Sequence, residues 1–172
     1  MKNKTTLAIT GHRDIIGNKA LQEKVKNYLE NIIEKNIESE LVLLSPLADG
    51  ADRFVAKIFL DLQESNNNLK LIVPLPYNQE RYMQDFDEVS TKEFLKFLTK
   101  TDSYFEVEHK TKSGYLDVGR YVVDEADILL ALWDGTFNGK VGGTGDIVDY
   151  AKGQGVEVMH FVCVRKEALG LK

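Results

Sequence analysis

The sequence predicts an α/β fold with a mostly parallel central sheet flanked by helices in three layers, and three observations carry that expectation. Short apolar runs alternate with amphipathic stretches along the chain, the pattern of strand–helix–strand units. The run Leu41-Val42-Leu43-Leu44 has no polar interruption, as a strand covered on both faces requires. Glycines and unusual polar residues collect after the apolar runs rather than before them, where open parallel sheets bind ligands.

Each element has its own signal. Leu7 to Thr10 makes a short strand that stops at Gly11, and Lys19 to Ile37 sets Leu21, Val25, Leu29, Ile32 and Ile33 at helical spacing. After the Leu41 to Leu44 strand, a helix starting near Asp49 carries Ala51, Val55, Ile58, Phe59 and Leu62 on one side and ends at Ser65-Asn66-Asn67-Asn68. Leu69 to Val73 is the third strand, closed by Pro74 and Pro76, which cannot donate to a ladder. A short helix over Gln79 to Phe86 follows, and Ser90 with Glu93 resembles a capping box for the next one. Tyr104 to Val107 reads as a weaker strand, Ser113 to Ala126 as a helix and Ile128 to Trp133 as a strong strand. A glycine-led helix then reaches Gly153 or Gly155, and Val156 to Val164 is the last strand, in which His160 reads as a satisfied buried group.

Composition bounds the function. A chain of 172 residues with 43% hydrophobic and 28% charged content suits one domain spanning 1–172, with a full core. The net charge of −5 argues against a general nucleic-acid coat, although not against a local basic site. A single cysteine, Cys163, excludes an intrachain disulfide, and Met-Lys-Asn-Lys lacks a secretory apolar region, so a cytoplasmic location is expected. No run is long enough to span a bilayer. Three histidines and one cysteine, none at ligand spacing, predict no metal site and no resident cofactor.

Four segments fall at the predicted strand ends: Gly11-His12-Arg13-Asp14, Ser45 to Asp52, Pro74 to Tyr77, and Asp134-Gly135 with Gly142-Gly143-Thr144-Gly145-Asp146. Glycines opening a helix let backbone approach a ligand, and the free N–H groups of the first turn favour an anion. Gly142, Gly143, Thr144, Gly145 and Asp146 therefore form a candidate phosphate cradle, with Gly11 allowing a tight turn beside it. Arg13 would fork a phosphate, although an arginine next to Asp14 is ordinarily a surface ion pair. His12 is a candidate polar contact, but a lone loop histidine is more often neither acid nor ligand. Ser45 and Asp49 suit helix capping; their functional alternative is hydrogen bonding to ribose, with Gly50 leaving room. Asp134 is a second candidate for ribose, Pro76 belongs to the same edge, and Trp133 and Tyr77 offer stacking faces that also serve as rim packing. Gly119 within a helix suggests a close approach, which makes Arg120 a second candidate cation, with an exposed helix arginine as the alternative.

The order of these motifs resembles the SLOG superfamily of Rossmann-like proteins, which includes the LONELY GUY enzymes, DNA-processing protein A and ligand-sensing domains of defence systems. The resemblance rests on Gly11-His12-Arg13, on Ser45 to Asp52 and on Gly142 to Gly145. The Ser45 to Asp52 segment is similar to the serine-glycine-alanine-glycine-aspartate turn of DNA-processing protein A, with Pro46 in place of a glycine. It implies a Rossmann-like domain that binds a nucleotide or nucleotide-derived ligand, of the ADP-ribose or NAD kind, possessing sensing rather than catalytic character, with pairing into a homodimer. The LONELY GUY enzymes hydrolyse nucleoside 5′-monophosphates through a Gly-Gly-x-Gly-Thr-x-x-Glu motif and an upstream arginine. Here Asp146 stands for the threonine, Asp149 for the glutamate and Val141 for the preceding proline, with Arg120 as the loose counterpart of the arginine. An N-glycosidase using Asp149 and Arg120 is the alternative this implies, and single-stranded DNA binding is a third that the acidic balance opposes.

Overall fold

A computed structural model describes residues 3–171. Six strands form one all-parallel sheet: β1 (Lys4–Gly11), β2 (Glu40–Leu44), β3 (Leu69–Leu75), β4 (Ser103–Glu106), β5 (Ile128–Trp133) and β6 (Glu157–Val162). The helices are α1 (Lys19–Lys35), α2 (Ala51–Gln63), α3 (Gln79–Met83), α4 (Glu88–Leu98), α5 (Gly114–Glu125) and α6 (Thr144–Gly153). Strand order is β4-β3-β2-β1-β5-β6. The chain thus builds outward from β1 to β4, returns to place β5 beside β1, and finishes at β6. Order reverses between β1 and β5, whose ends are in register at Gly11 and Leu132, and such a reversal opens a crevice beyond the carboxyl ends.

Two cores hold the layers. Leu7, Ile9, Leu43, Val55 and Phe59 pack with α1 to α4 on one face, while Ala8, Val42, Leu44 and Leu129 pack with α5 and α6 on the other. The alternation of Leu7 and Ile9 with Ala8 is the two-residue period of a strand covered on both sides. Polar side chains close the helix ends: Asn18 accepts from the Leu21 amide, Asn78 from Arg81 and Ser113 from Leu116.

Two local expectations are corrected. Helix α4 is capped by Asp87, whose side chain accepts from the Ser90 amide, so Ser90 and Glu93 lie inside the helix rather than at its cap. Their side chains serve Arg53 instead. His160 is exposed rather than buried, because β6 is an edge strand whose alternate residues differ in cover. Phe161 and Cys163 enter the α1-side core, whereas Val162, on the side that His160 takes, is 72% exposed. His160 is satisfied by the Trp133 carbonyl at 2.9 Å. Among the described residues no helix is long and apolar enough to cross a membrane.

Candidate functional site

A crevice of about 120 Å³ lies at the strand-order reversal. Thr10, Gly11 and Arg13 supply its β1 side, Pro46, Ala48 and Asp52 its β2 side, and Pro76 and Tyr82 come from β3 and α3. Tyr115 and Gly119 of α5 form a wall, and Gly142 reaches in from the loop before α6. A larger groove of about 180 Å³ lies between α2 and α4, lined by Lys57, Lys96 and Lys100 with Asp61 and Glu93. Its charges are mixed and it stands away from the strand ends, so the smaller crevice is the candidate site.

The loop between β2 and α2 is held by its own side chains. Ser45 is fully buried; its hydroxyl donates to the Asp52 carbonyl at 3.3 Å and accepts from the Leu47 amide at 3.2 Å. Leu47 adopts φ 58°, left-handed backbone that non-glycine residues rarely take. Its carbonyl accepts from Arg53 Nε at 2.9 Å. Gly50 has φ 78°, and a Cβ there would sit 2.3 Å from the Arg13 carbonyl, so only glycine lets this turn close against the β1 loop. Asp49 contacts Arg53 at 3.0 Å and accepts from the Ser90 hydroxyl, which ties it to α4, and it takes no part in lining the crevice.

Asp52 does line it. The residue is 7% exposed; Oδ2 accepts from the Ala48 amide at 3.1 Å, and Oδ1 has no hydrogen bond among the described residues. Burial pushes its carboxyl up to about 7, against the opposing pull of the Ala48 amide and the Arg13 and Arg53 charges, with Asp49 adding to the rise. The folded protein therefore binds this proton more tightly than the unfolded chain does. The Asp52 contribution to stability is full below about pH 4 and is lost as pH rises through about 7, by roughly 4 kcal/mol in all. Denaturant midpoints between pH 5 and 8 should decline in the wild type, and Asp52→Asn should flatten that decline. Asp14 does not confuse this window. Burial raises its carboxyl, but the Arg165 hydrogen bond, the Glu167 amide and the Arg165 charge outweigh it and hold it below the usual range. Its effect therefore appears only as pH falls through the acid range.

The β1 loop divides its charges. Asp14 pairs with Arg165 at 2.8 Å, so the expected local partner of Arg13 is engaged elsewhere. Among the described residues Arg13 has no hydrogen bond or ion pair; its guanidinium lies 5.8 Å from the centre of the Tyr115 ring. His12 Nε2 is 3.2 Å from Asp134 Oδ1, within ion-pair range but off the hydrogen-bond line. Asp134 also accepts from the Thr136 amide and hydroxyl, at 2.9 and 2.8 Å. These contacts together outweigh its burial and keep its carboxyl below the usual range. Trp133 donates its indole N–H to the Thr136 carbonyl. His12, Trp133 and Asp134 thus brace the β5 exit beside the crevice rather than line it.

Of the glycine cluster, Gly142 alone lines the crevice. It turns at φ 76°, and its amide donates to Asp146 Oδ2 at 2.7 Å. The Gly143 amide donates to the Lys140 carbonyl. Thr144, Gly145 and Asp146 form the first turn of α6, where their amides have no hydrogen-bond partner among the described residues. Phe137 packs over Gly145 so closely that a Cβ there would meet the ring at 2.6 Å. The Asp146 carboxylate adds a negative charge near this helix start while bonding the Gly142 amide that precedes it.

Arg120 and Asp149 are exposed and outside the crevice lining, and Arg120 lies 5.3 Å over the Tyr150 ring. Gly119 does pack tightly, with Ile147 Cδ1 at 2.6 Å from its would-be Cβ. Three residues that shape the site carried no signal of their own: Asp52 stood out only as the end of a motif, Tyr82 fell within a short helix, and Arg53 drew no reading. No cluster of three or more His, Cys, Asp or Glu suited to a metal occurs among the described residues.

No curated protein matches the chain. Among solved structures, the nicotinamidase SaPncA from Staphylococcus aureus is similar over 92% of this chain and 100% of its own, at 13% identity and a TM-score of 0.37. That likeness is too distant to inform the site. Residues 5–162, which span the sheet and the crevice, match the YpsA family, described as the YspA SLOG family, and the chain belongs to that family.

Proposed function

We propose that the protein binds a nucleotide or nucleotide-derived ligand, of the ADP-ribose or NAD kind, with a phosphate on Arg13 at the carboxyl edge of the sheet. One observation carries this reading. Arg13 is an arginine without a hydrogen bond or ion pair among the described residues, it lines a crevice at the strand-order reversal, and its neighbour Asp14 is bound to Arg165. An unpaired guanidinium in such a place is a fork for phosphate. Membership of a SLOG family agrees with a nucleotide-related ligand. The volume of about 120 Å³ is well below the roughly 300–1,000 Å³ of sites that enclose a drug-sized molecule. One sugar-phosphate unit enters, and the rest of the ligand lies across the rim. A sensing output then passes through a partner or a second copy of the chain.

Hydrolysis has less support, because Asp149 and Arg120 stand outside the crevice. Native mass spectrometry of freshly purified protein, followed by calorimetry with AMP, ADP-ribose and NAD, tests the proposal. Bound nucleotide without release of free base on chromatography supports a binding module. Absence of binding by all three overturns it. Asp146→Asn keeps an acceptor for the Gly142 amide while removing a negative charge near the phosphate. It is expected to tighten binding about two- to fivefold, from a helix-terminus effect of roughly 0.3–1 kcal/mol.

A further inference from the structure

The floor of the crevice holds two polar side chains whose hydrogen-bonding capacity the fold leaves unused. Asp52 Oδ1 has no partner among the described residues, although the residue is only 7% exposed. Tyr82 is 1% exposed, and its hydroxyl likewise has no hydrogen bond among the described residues. Both side chains line the crevice together with Arg13. Burial raises the Tyr82 phenol, and the Asp52 charge is close enough to raise it further.

Neither atom is fully shut off from the crevice, so a molecule entering it can pair both, whereas covering either without a bond would be destabilising. Packing accounts for the Tyr82 ring, which meets Phe86 and Phe94 edge-on at 4.9 and 5.6 Å. It does not account for the hydroxyl, since phenylalanine would fill the same space. Burial of Asp52 is equally unexplained by its single bond to Ala48, which asparagine could accept as well. Two adjacent unsatisfied groups, one a strong acceptor and the other a donor as well as an acceptor, match a molecule that offers hydroxyls.

We propose that Asp52 and Tyr82 are the specificity-determining residues of this crevice: they hydrogen-bond the hydroxyls of a ribose whose phosphate is held by Arg13. The inference rests on the nucleotide reading above and narrows it to a ribose phosphate rather than its deoxy counterpart. Asp52 takes a sugar hydroxyl on its free oxygen while Oδ2 keeps the Ala48 amide. Tyr82 adds its phenol, so loss of one sugar hydroxyl leaves a partner covered by the ligand without a bond. A site of this kind rejects the analogue lacking the group far more strongly than a merely apolar pocket does.

Calorimetry with ribose 5-phosphate and 2-deoxyribose 5-phosphate tests it, on wild type, Asp52→Asn and Tyr82→Phe. Wild type is expected to prefer the ribo form by about tenfold or more, as a hydrogen bond to a charged group implies. Each variant should bring that preference below about threefold. Tyr82→Phe retains the aromatic packing, so it keeps the question answerable should Asp52→Asn fold poorly. Equal binding of the two sugars by wild type, or a preference untouched in both variants, overturns the proposal while the nucleotide reading stands. So does binding of AMP, ADP-ribose or NAD with neither sugar phosphate. No binding of any of these probes overturns both.

Discussion

Arg53→Ala is expected to lower the unfolding free energy by about 3 kcal/mol, the low end of the range for breaking a buried charge pair. Arg53 is 3% exposed and spans the space between the β2–α2 loop and α4. Its Nε donates to the Leu47 carbonyl, and one terminal nitrogen serves the Ser90 carbonyl at 3.0 Å, the Ser90 hydroxyl at 2.9 Å and Glu93 at 3.1 Å. The plane also lies 4.6 Å from the centre of the Phe86 ring. Alanine would strand the Leu47 carbonyl and leave Asp49 without its ion-pair partner. Water would screen Glu93 and part of Asp49, whose side chains are 55% and 36% exposed, which is why the upper end of the range does not apply. The loss should appear as a lower urea midpoint with an unchanged slope. Arg53→Lys should recover only part of it, since an ammonium cannot serve two directions of the fork. A midpoint within error of wild type would show that the loop does not depend on this residue.

The loop Arg53 secures contains Leu47 in left-handed backbone and ends at Asp52. Strain of this kind persists where surrounding contacts over-determine it. Ser45 and Arg53 grip Leu47 from both sides, which fixes where Ala48 and Asp52 enter the crevice. Stability and site shape are therefore set by the same contacts, and ligand affinity should fall with Arg53→Ala even at temperatures where the variant remains folded.

The fold was legible because its determinants are periodic. Uninterrupted Leu41 to Leu44 and the helical spacing of Leu21, Val25 and Leu29 say directly which faces are covered. Clustering of polar residues at strand ends also located the crevice, since Arg13, Gly11 and Gly142 all reach it. What was not legible depends on contacts distant in sequence. Asp49 reads as a helix cap or a ribose contact until Ser90, 41 residues later, comes to meet it. Arg53 gives no sign of its role until α4 folds over it. Arg13 beside Asp14 reads as a local pair until Arg165, 151 residues away, takes the aspartate. His160 shows a related failure, because an apolar run does not say whether its strand is central or at an edge.

Arg13→Ala is expected to weaken binding of the phosphorylated ligand by about 10- to 100-fold, the equivalent of roughly 1.5–3 kcal/mol for a charge-assisted hydrogen bond. Below about pH 6, where Asp52 is protonated, stability should hardly change, by less than about 0.5 kcal/mol, since the side chain is exposed and has no hydrogen bond or ion pair among the described residues. That separation between affinity and stability distinguishes it from Arg53→Ala, where both fall. Arg13→Lys should restore part of the affinity but not the two-pronged geometry, and the salt dependence of binding should be shallower in Arg13→Ala than in wild type. Loss of this cation also removes one of the attractions that favour ionised Asp52, so the Asp52 carboxyl should rise further. Its titration would then move to higher pH in Arg13→Ala, visible as a shift of the decline in denaturant midpoint. Unchanged affinity together with an unchanged pH profile would place the ligand's phosphate away from Arg13 and Arg13 away from Asp52, and the crevice would lose its claim to be a nucleotide site.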